Sequence, residues 1–348
     1  MPIIRSSTYR PPPLMGNGHL QTILSSLLRR VKNVAYQRER ITTPDNDFID
    51  LDWSPRGSRP VALLCHGLEG SSCAPYMQGM VRTLNQAGWD VVAFNFRGCS
   101  GEINRQLRAY HSGATDDLAI VHRHIIRKGH YHSIGFIGFS LGGNLVLKYL
   151  GEMGPDLAPD RHWAATISVP CDLKASARQL DRVINQVYNW RFLRTLVRKA
   201  RVKARRYPGR IDGARLKTVT SLKAFDDLYT APVHGFRDAE DYWQRCSARR
   251  FLNTIRVPTL LVNALNDPFL DRPCFPYTAA RRNTMLFLET PRSGGHVGFL
   301  PCTLRGPFWH ETRVVQFARA QGGLSSPLPS RLNPWSRTRK TNTHPYPR

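Results

Sequence analysis

Residues 134–143 read Ile134-Gly-Phe-Ile-Gly-Phe-Ser-Leu-Gly-Gly143. An apolar run of strand length leads into Ser140, which stands between Gly138 and Gly142, and a helix-compatible stretch, Leu141 to Leu150, leads away. The pattern G-x-S-x-G arises by chance in about one chain of this length in ten, so by itself it says little. Its flanks decide the reading. Strand in and helix out is the setting in which a serine is held on a sharp, exposed turn, and glycines on either side relieve the crowding of that turn. The plainer alternative is a serine that only caps a helix.

Working outward, similar apolar runs recur at Val61–Cys65, Val91–Phe94, Ala164–Val169, Thr259–Val262 and Met285–Leu288. Segments apolar on both faces suit the strands of a parallel sheet covered on both sides. Tyr76–Gln86 and Thr115–Arg127 are compatible with helices between them, and this alternation argues for a doubly wound α/β sheet. Gln37–Thr43 and Phe48–Trp53 flank Pro44-Asp-Asn-Asp47 and read as a β-hairpin. The stretch between Val169 and Thr259 is far longer than a crossover requires, which marks an inserted cap or lid. The organisation expected is therefore a Pro-rich surface segment at 1–36, a core at 37–170 and 257–321, a cap at 171–256, and a basic disordered tail at 322–348 that contains no acidic residue.

A serine hydroxyl needs a base, and the base needs an orienting acid. In a sheet of this kind the partners follow in the order serine, acid, histidine, on loops after later strands. Asp267 follows the strand at Thr259, and His296 follows the strand at Met285 within Ser293-Gly-Gly-His296. Asp271 is a rival acid; His66 and His111 precede the serine, and His310 lies in the final helical stretch. An oxyanion hole takes one backbone N–H from the residue after the nucleophile and one from an earlier strand-end loop. Leu141 supplies the first. Leu68, in His66-Gly-Leu-Glu-Gly70, supplies the second. His66, Arg97, Tyr110 and His111 lie near the same strand ends and either line a substrate pocket or brace the loops.

Together these segments resemble the α/β-hydrolases, and more narrowly the YheT-like branch related to abhydrolase-domain lipases. The narrower resemblance rests on Gly18-His-Leu-Gln-Thr22 and His66-Gly-Leu-Glu-Gly70. It extends through Asn95-Phe-Arg-Gly-Cys-Ser-Gly101, Tyr110-His-Ser-Gly113, Phe225-Asp-Asp-Leu228 and Gly294-Gly-His-Val-Gly298, and it spans roughly residues 15–320. It implies an α/β-hydrolase fold in which Ser140, Asp267 and His296 form the charge-relay triad of a carboxylic-ester hydrolase. Its substrates would be acyl esters, including lipid esters such as acylglycerols. The family often has two acids before the proline where this chain has Asn266-Asp267, which leaves the matching acid in place.

Composition bounds the rest. Of 348 residues 41% are hydrophobic and 22% charged, which excludes collagen, coiled coil and long disorder. Seven scattered cysteines form no C-x-x-C pair, so neither a disulfide framework nor a zinc ribbon is expected. The glycine-rich loops supply neither G-x-G-x-x-G nor a P-loop lysine, and no cofactor or metal is expected. The N-terminal residues lack the apolar run of a signal peptide, so the reading is cytoplasmic, with possible peripheral contact at a membrane.

Charge is the unusual feature. Fifty Lys and Arg against 25 Asp and Glu give a net charge of +25, which favours anionic partners without saying anything of fold. From Arg182 to Lys223 there are thirteen Lys or Arg and one acid, Asp212. Val183, Val187, Trp190, Leu193 and Val197 recur at steps of three and four beside Arg191, Arg194, Arg198, Arg201 and Arg205. Such a helix either packs its apolar stripe on the sheet domain or rests on anionic lipid. A scaffold that binds membrane or nucleic acid through this basic lid is the alternative to an enzyme, although no nucleic-acid motif is present.

Overall fold

The structure, a computed structural model, describes residues 3–303 and 306–322. Its strands are β1 (Ile3–Ile4), β2 (Gln37–Thr42), β3 (Phe48–Ser54), β4 (Pro60–Cys65), β5 (Asp90–Asn95), β6 (Ser133–Phe139), β7 (His162–Ile167), β8 (Thr259–Val262) and β9 (Leu286–Glu289). They form one sheet in the order β1-β9-β8-β7-β6-β4-β5-β3-β2. All neighbours from β1 through to β5 pair in parallel, while β3 pairs antiparallel with β5 and β2 antiparallel with β3. The hairpin expected from the sequence is thus the antiparallel margin of an otherwise parallel sheet.

The helices are α1 (Gly18–Leu28), α2 (Pro75–Gln86), α3 (Thr115–Arg127), α4 (Leu141–Met153), α5 (Leu173–Leu180), α6 (Gln186–Arg206), α7 (Leu222–Phe225), α8 (Ala231–His234), α9 (Ala239–Cys246), α10 (Tyr277–Arg282) and α11 (Trp309–Gly322). Strand residues alternate between two cores. Val61, Leu63 and Cys65 of β4 join a core with α3 and α4, whereas Ala62 and Leu64 face α2 and α11. The unbroken apolar runs follow from this arrangement, because a strand covered on both sides has no face to leave polar.

Between β7 and β8 the chain makes an excursion through α5 to α9, the inserted helical cap. It has its own small core, built on Leu193, Ala200, Leu216, Leu222 and Phe225, and Phe269 from the loop after β8 is part of it. A five-residue π-helical stretch, Asp226–Thr230, joins α7 to α8.

The N-terminal segment differs from the expected surface wrap. Ile3–Ile4 adds a parallel strand beside β9, and α1 packs against the loops after β8 and β9: a Cβ at Gly18 would lie 1.9 Å from the Asn266 carbonyl oxygen. A two-residue strand is too short to show a period. The basic tail beyond Gly322 lies outside the described residues.

Candidate active site

Ser140 stands at the turn between β6 and α4 with φ +52°, a conformation that non-glycine residues rarely adopt. Its neighbours make the strain tolerable. A Cβ at Gly138 would come within 2.5 Å of the Gly142 carbonyl oxygen, and one at Gly142 within 2.4 Å of the Cys65 and His66 carbonyl oxygens. Only glycine lets the helix start this close to two strand ends. Ser140 N–H is tied to the Ile167 carbonyl, so the turn is fixed from β7 as well. The hydroxyl makes no hydrogen bond among the described residues, and Ser140 lines a cavity that His296 also lines.

Asp267 and His296 meet beside it. His296 Nδ1 lies 2.9 and 3.1 Å from the two Asp267 carboxylate oxygens, and the Asp267 side chain is fully buried. Phe269 N–H also donates to this carboxylate, and the Phe269 ring lies against the imidazole with centroids 4.2 Å apart. The carboxylate therefore fixes the imidazole tautomer with the proton on Nδ1, which leaves Nε2 as the acceptor. Asp271 is exposed, with its carboxylate accepting from Arg272 N–H.

The loop carrying His296 is held by groups whose roles the sequence did not reveal. His296 N–H donates to Thr22 Oγ1 and Val297 N–H to Ser168 Oγ, both at 2.8 Å. Asn266 donates to the Gly16 carbonyl and to Ser293 Oγ, and accepts from Gly295 N–H. Asn266 thus staples three segments together. The quoted run Gly18-His-Leu-Gln-Thr22 carried the signal, because Thr22 and the tight approach of Gly18 both belong to it.

Leu68 and Leu141 line the same cavity, and among the described residues neither amide N–H has an acceptor. Two free donors near a serine suit an oxyanion. The loop bearing Leu68 is fixed from below: Gly67 N–H donates to Tyr76 Oη, and Glu69 N–H donates to Tyr110 Oη, which in turn donates to the Glu69 carboxylate. Burial keeps the Tyr110 phenol well above its ordinary value, so it stays a neutral donor.

The four residues expected near a pocket separate. Tyr110 and His111 line the cavity, His111 against the rings of His234, Phe236 and Tyr242. His66 does not: it is fully buried beneath the loop, paired through Nδ1 with the Gly67 carbonyl and through Nε2 with Phe96 N–H. Arg97 reaches the cavity wall, but its buried guanidinium is taken up by Asp45, Asp47 and Asp117 at 2.8–2.9 Å. With three carboxylates around it, this arginine braces the loops and has no donor left for a head group.

The cap closes one side. Phe192, Leu196, Phe225 and Tyr229 line the cavity, an empty volume of about 1130 Å³ that includes space open to solvent. Lys199 of α6 reaches across to Glu69 at 2.9 Å and to Cys99 Sγ at 3.3 Å. Burial would lower its ammonium, but Cys99 and Glu69 outweigh this and hold it above the ordinary lysine value. The cap helix is thereby ionically tied to the loop that carries Leu68. At the cavity wall Asp226 accepts from Thr230 Oγ1 and Trp243 Nε1, and burial pushes its carboxyl up to about 7.

A parallel sheet with a serine elbow after a central strand, and an acid and a histidine after later strands, defines the α/β-hydrolase class. The family model for the alpha/beta hydrolase fold matches residues 60–301, and the chain belongs to that family. Within it, the chain is 39% identical over 316 residues to an Escherichia coli (strain K12) protein named "Putative esterase YheT", covering 89% of this chain and 92% of that one. It is also 32% identical to the Mus musculus protein "Phospholipase ABHD3" over 310 residues, 85% of this chain and 74% of the relative. Among solved structures, a Pyrococcus furiosus esterase superposes with a TM-score of 0.56 at 18% identity, covering 92% of this chain and all of the other, a likeness of fold alone. The family is esterase- and lipase-like. Among the described residues no helix is long and apolar enough to cross a membrane.

Proposed function

We propose that the protein hydrolyses carboxylic esters through an acyl-enzyme, with Ser140 as nucleophile, His296 as general base and acid, and Asp267 as the group that orients the imidazole. The observation that carries this reading is the buried Asp267 carboxylate 2.9 Å from His296 Nδ1, with Ser140 held at positive φ on the same cavity. His296 Nε2 takes the hydroxyl proton as Ser140 Oγ attacks the carbonyl carbon. The free amides of Leu68 and Leu141 receive the negative oxygen, and the proton then passes to the leaving alcohol. Water, deprotonated by the same nitrogen, releases the acid.

The apolar cavity wall built by Phe192, Leu196 and Phe225 suits an acyl chain, which favours short- to medium-chain acyl esters or lipid esters such as acylglycerols. The esterase and phospholipase names of the two relatives agree with that class. The test is hydrolysis of p-nitrophenyl esters from acetate to laurate, with fluorophosphonate labelling, on the parent and Ser140→Ala. The expected result is labelling lost in the variant, with turnover lower by roughly 10⁴- to 10⁶-fold. A folded parent that neither labels nor turns over any ester overturns the reading.

A further inference from the structure

Helix α1 and the N-terminal end of α6 turn apolar residues to solvent and polar ones inward. In α1 the buried residues are Gly18, Gln21 and Ser25, while Leu20, Ile23 and Leu27, spaced three and four apart, face solvent, with Leu27 67% exposed. At the start of α6 the same inversion occurs: Asn185 and Asn189 are buried, while Val183, Val187 and Trp190 are 89%, 74% and 62% exposed. A surface helix ordinarily turns its apolar stripe to the core.

The two helices are neighbours. His19 of α1 stacks on Tyr188 of α6 with centroids 5.9 Å apart, and Tyr188 packs on Phe269, which covers His296. Asn185 donates to the Pro268 carbonyl, and exposed Leu265 precedes Asn266, which bonds the Gly16 carbonyl just before α1. Exposed Arg30 follows α1 in the chain, exposed Arg182 precedes α6, and exposed Arg191, Arg194 and Arg198 lie on α6, with Arg194 over the Trp190 ring. An apolar patch of this kind marks an interaction surface.

We propose that the outward stripes of α1 and α6, with their arginine rim, dock the protein on an anionic phospholipid membrane. Charge complementarity selects this occupant. A second copy of the chain would bring the same arginine rim against itself, since a two-fold contact pairs like with like. A lipid surface accepts aliphatic and Trp side chains into its acyl boundary and offers phosphates to the arginines. Resting on the ester-hydrolase reading, docking here places the Phe269–His296 side of the site beside the lipid from which an ester would be drawn.

The test is flotation of the full chain with vesicles of phosphatidylcholine, alone and with phosphatidylglycerol. It uses the parent, Ser140→Ala and the double substitution Leu27→Glu with Val187→Glu, whose fold is checked by its unfolding midpoint because both sites are exposed. Binding is expected only with phosphatidylglycerol, to weaken as salt rises, and to fall at least about tenfold in the double variant. Ser140→Ala should bind as the parent does, so a failed hydrolase reading leaves the docking result standing. Three results overturn the proposal: no binding to anionic vesicles, equal binding by the double variant, or a concentration-dependent dimer in sedimentation that the double variant abolishes.

Discussion

Helices α4 and α6 both flank the site, and they are held in different ways. Every residue of α4 from Leu141 to Gly151 is buried, and its side chains belong to the core beneath the sheet. Helix α6 is 21 residues long but buries only Asn189, Leu193, Ala200 and Lys203. Two of those four are polar and are held by specific bonds: Asn189 to Asp181 and the Thr220 carbonyl, Lys203 to the carbonyls of Asn104 and Gln106. Area removed from water fixes α4; α6 is held by the cap's small core at Leu193 and Ala200 together with directed hydrogen bonds and the Lys199–Glu69 tie. Ser140 thus sits at the head of a helix where packing dominates, and the cap helix across the cavity is seated by a small core and directed polar contacts together.

The largest consequence concerns the unfolding free energy. Leu147 of α4 is fully buried among sheet residues, so Leu147→Ala should cost about 2–5 kcal/mol, read from urea or guanidinium unfolding. A cost below about 1 kcal/mol would mean that α4 is no better packed than the cover, and the contrast would be gone.

The same contrast decides what the sequence made legible. All interior strands appear within two residues of their apolar runs, and Thr115–Arg127 coincides with α3, because burial on two faces imprints an uninterrupted pattern. Ser140, Asp267 and His296 could be singled out because each follows such a strand. Helix α1 stayed hidden although Leu20, Ile23 and Leu27 recur at helical spacing, because the Pro-rich residues just before it make the whole segment read as a surface wrap. The stripe from Val183 to Val197 was visible, but the choice between packing and lipid was not. The structure splits it: Leu193 is buried and Val197 half-buried, while the first three members face solvent. Thr22 and Asn266 escaped because a hydrogen bond between distant loops leaves no period at all.

Acid should act on the packed region through His66. Burial pushes this imidazole down to about 3, against about 6.5 when unfolded, and Nε2 can accept from Phe96 N–H only in the neutral ring, whereas the bond from Nδ1–H to the Gly67 carbonyl survives protonation. As pH falls below about 6.5 the unfolded chain takes up the proton and the folded one does not. The contribution of His66 is therefore fully present above that pH and drains away toward about 3. The slope of unfolding free energy against pH over that window should be shallower in His66→Gln by up to about 1.4 kcal/mol per unit, whatever the variant's own stability. Equal slopes would show that the loop carrying Leu68 does not depend on a neutral imidazole.

The smallest effect is expected at Val187. Its side chain is 74% exposed on α6, so replacing it removes almost no buried area. Glutamine is the better helix former by a few tenths of a kcal/mol, because valine loses χ1 freedom against the preceding turn. Val187→Gln should therefore change the unfolding free energy by no more than about 0.5 kcal/mol, with any shift toward greater stability. Measured in the same denaturant series as Leu147→Ala, it sets the two helices side by side. A loss above about 2 kcal/mol would mean that some other part of the chain covers this stripe in solution. The surface offered to lipid would then be an internal contact, and α6 would be held along its whole length by apolar burial, as α4 is.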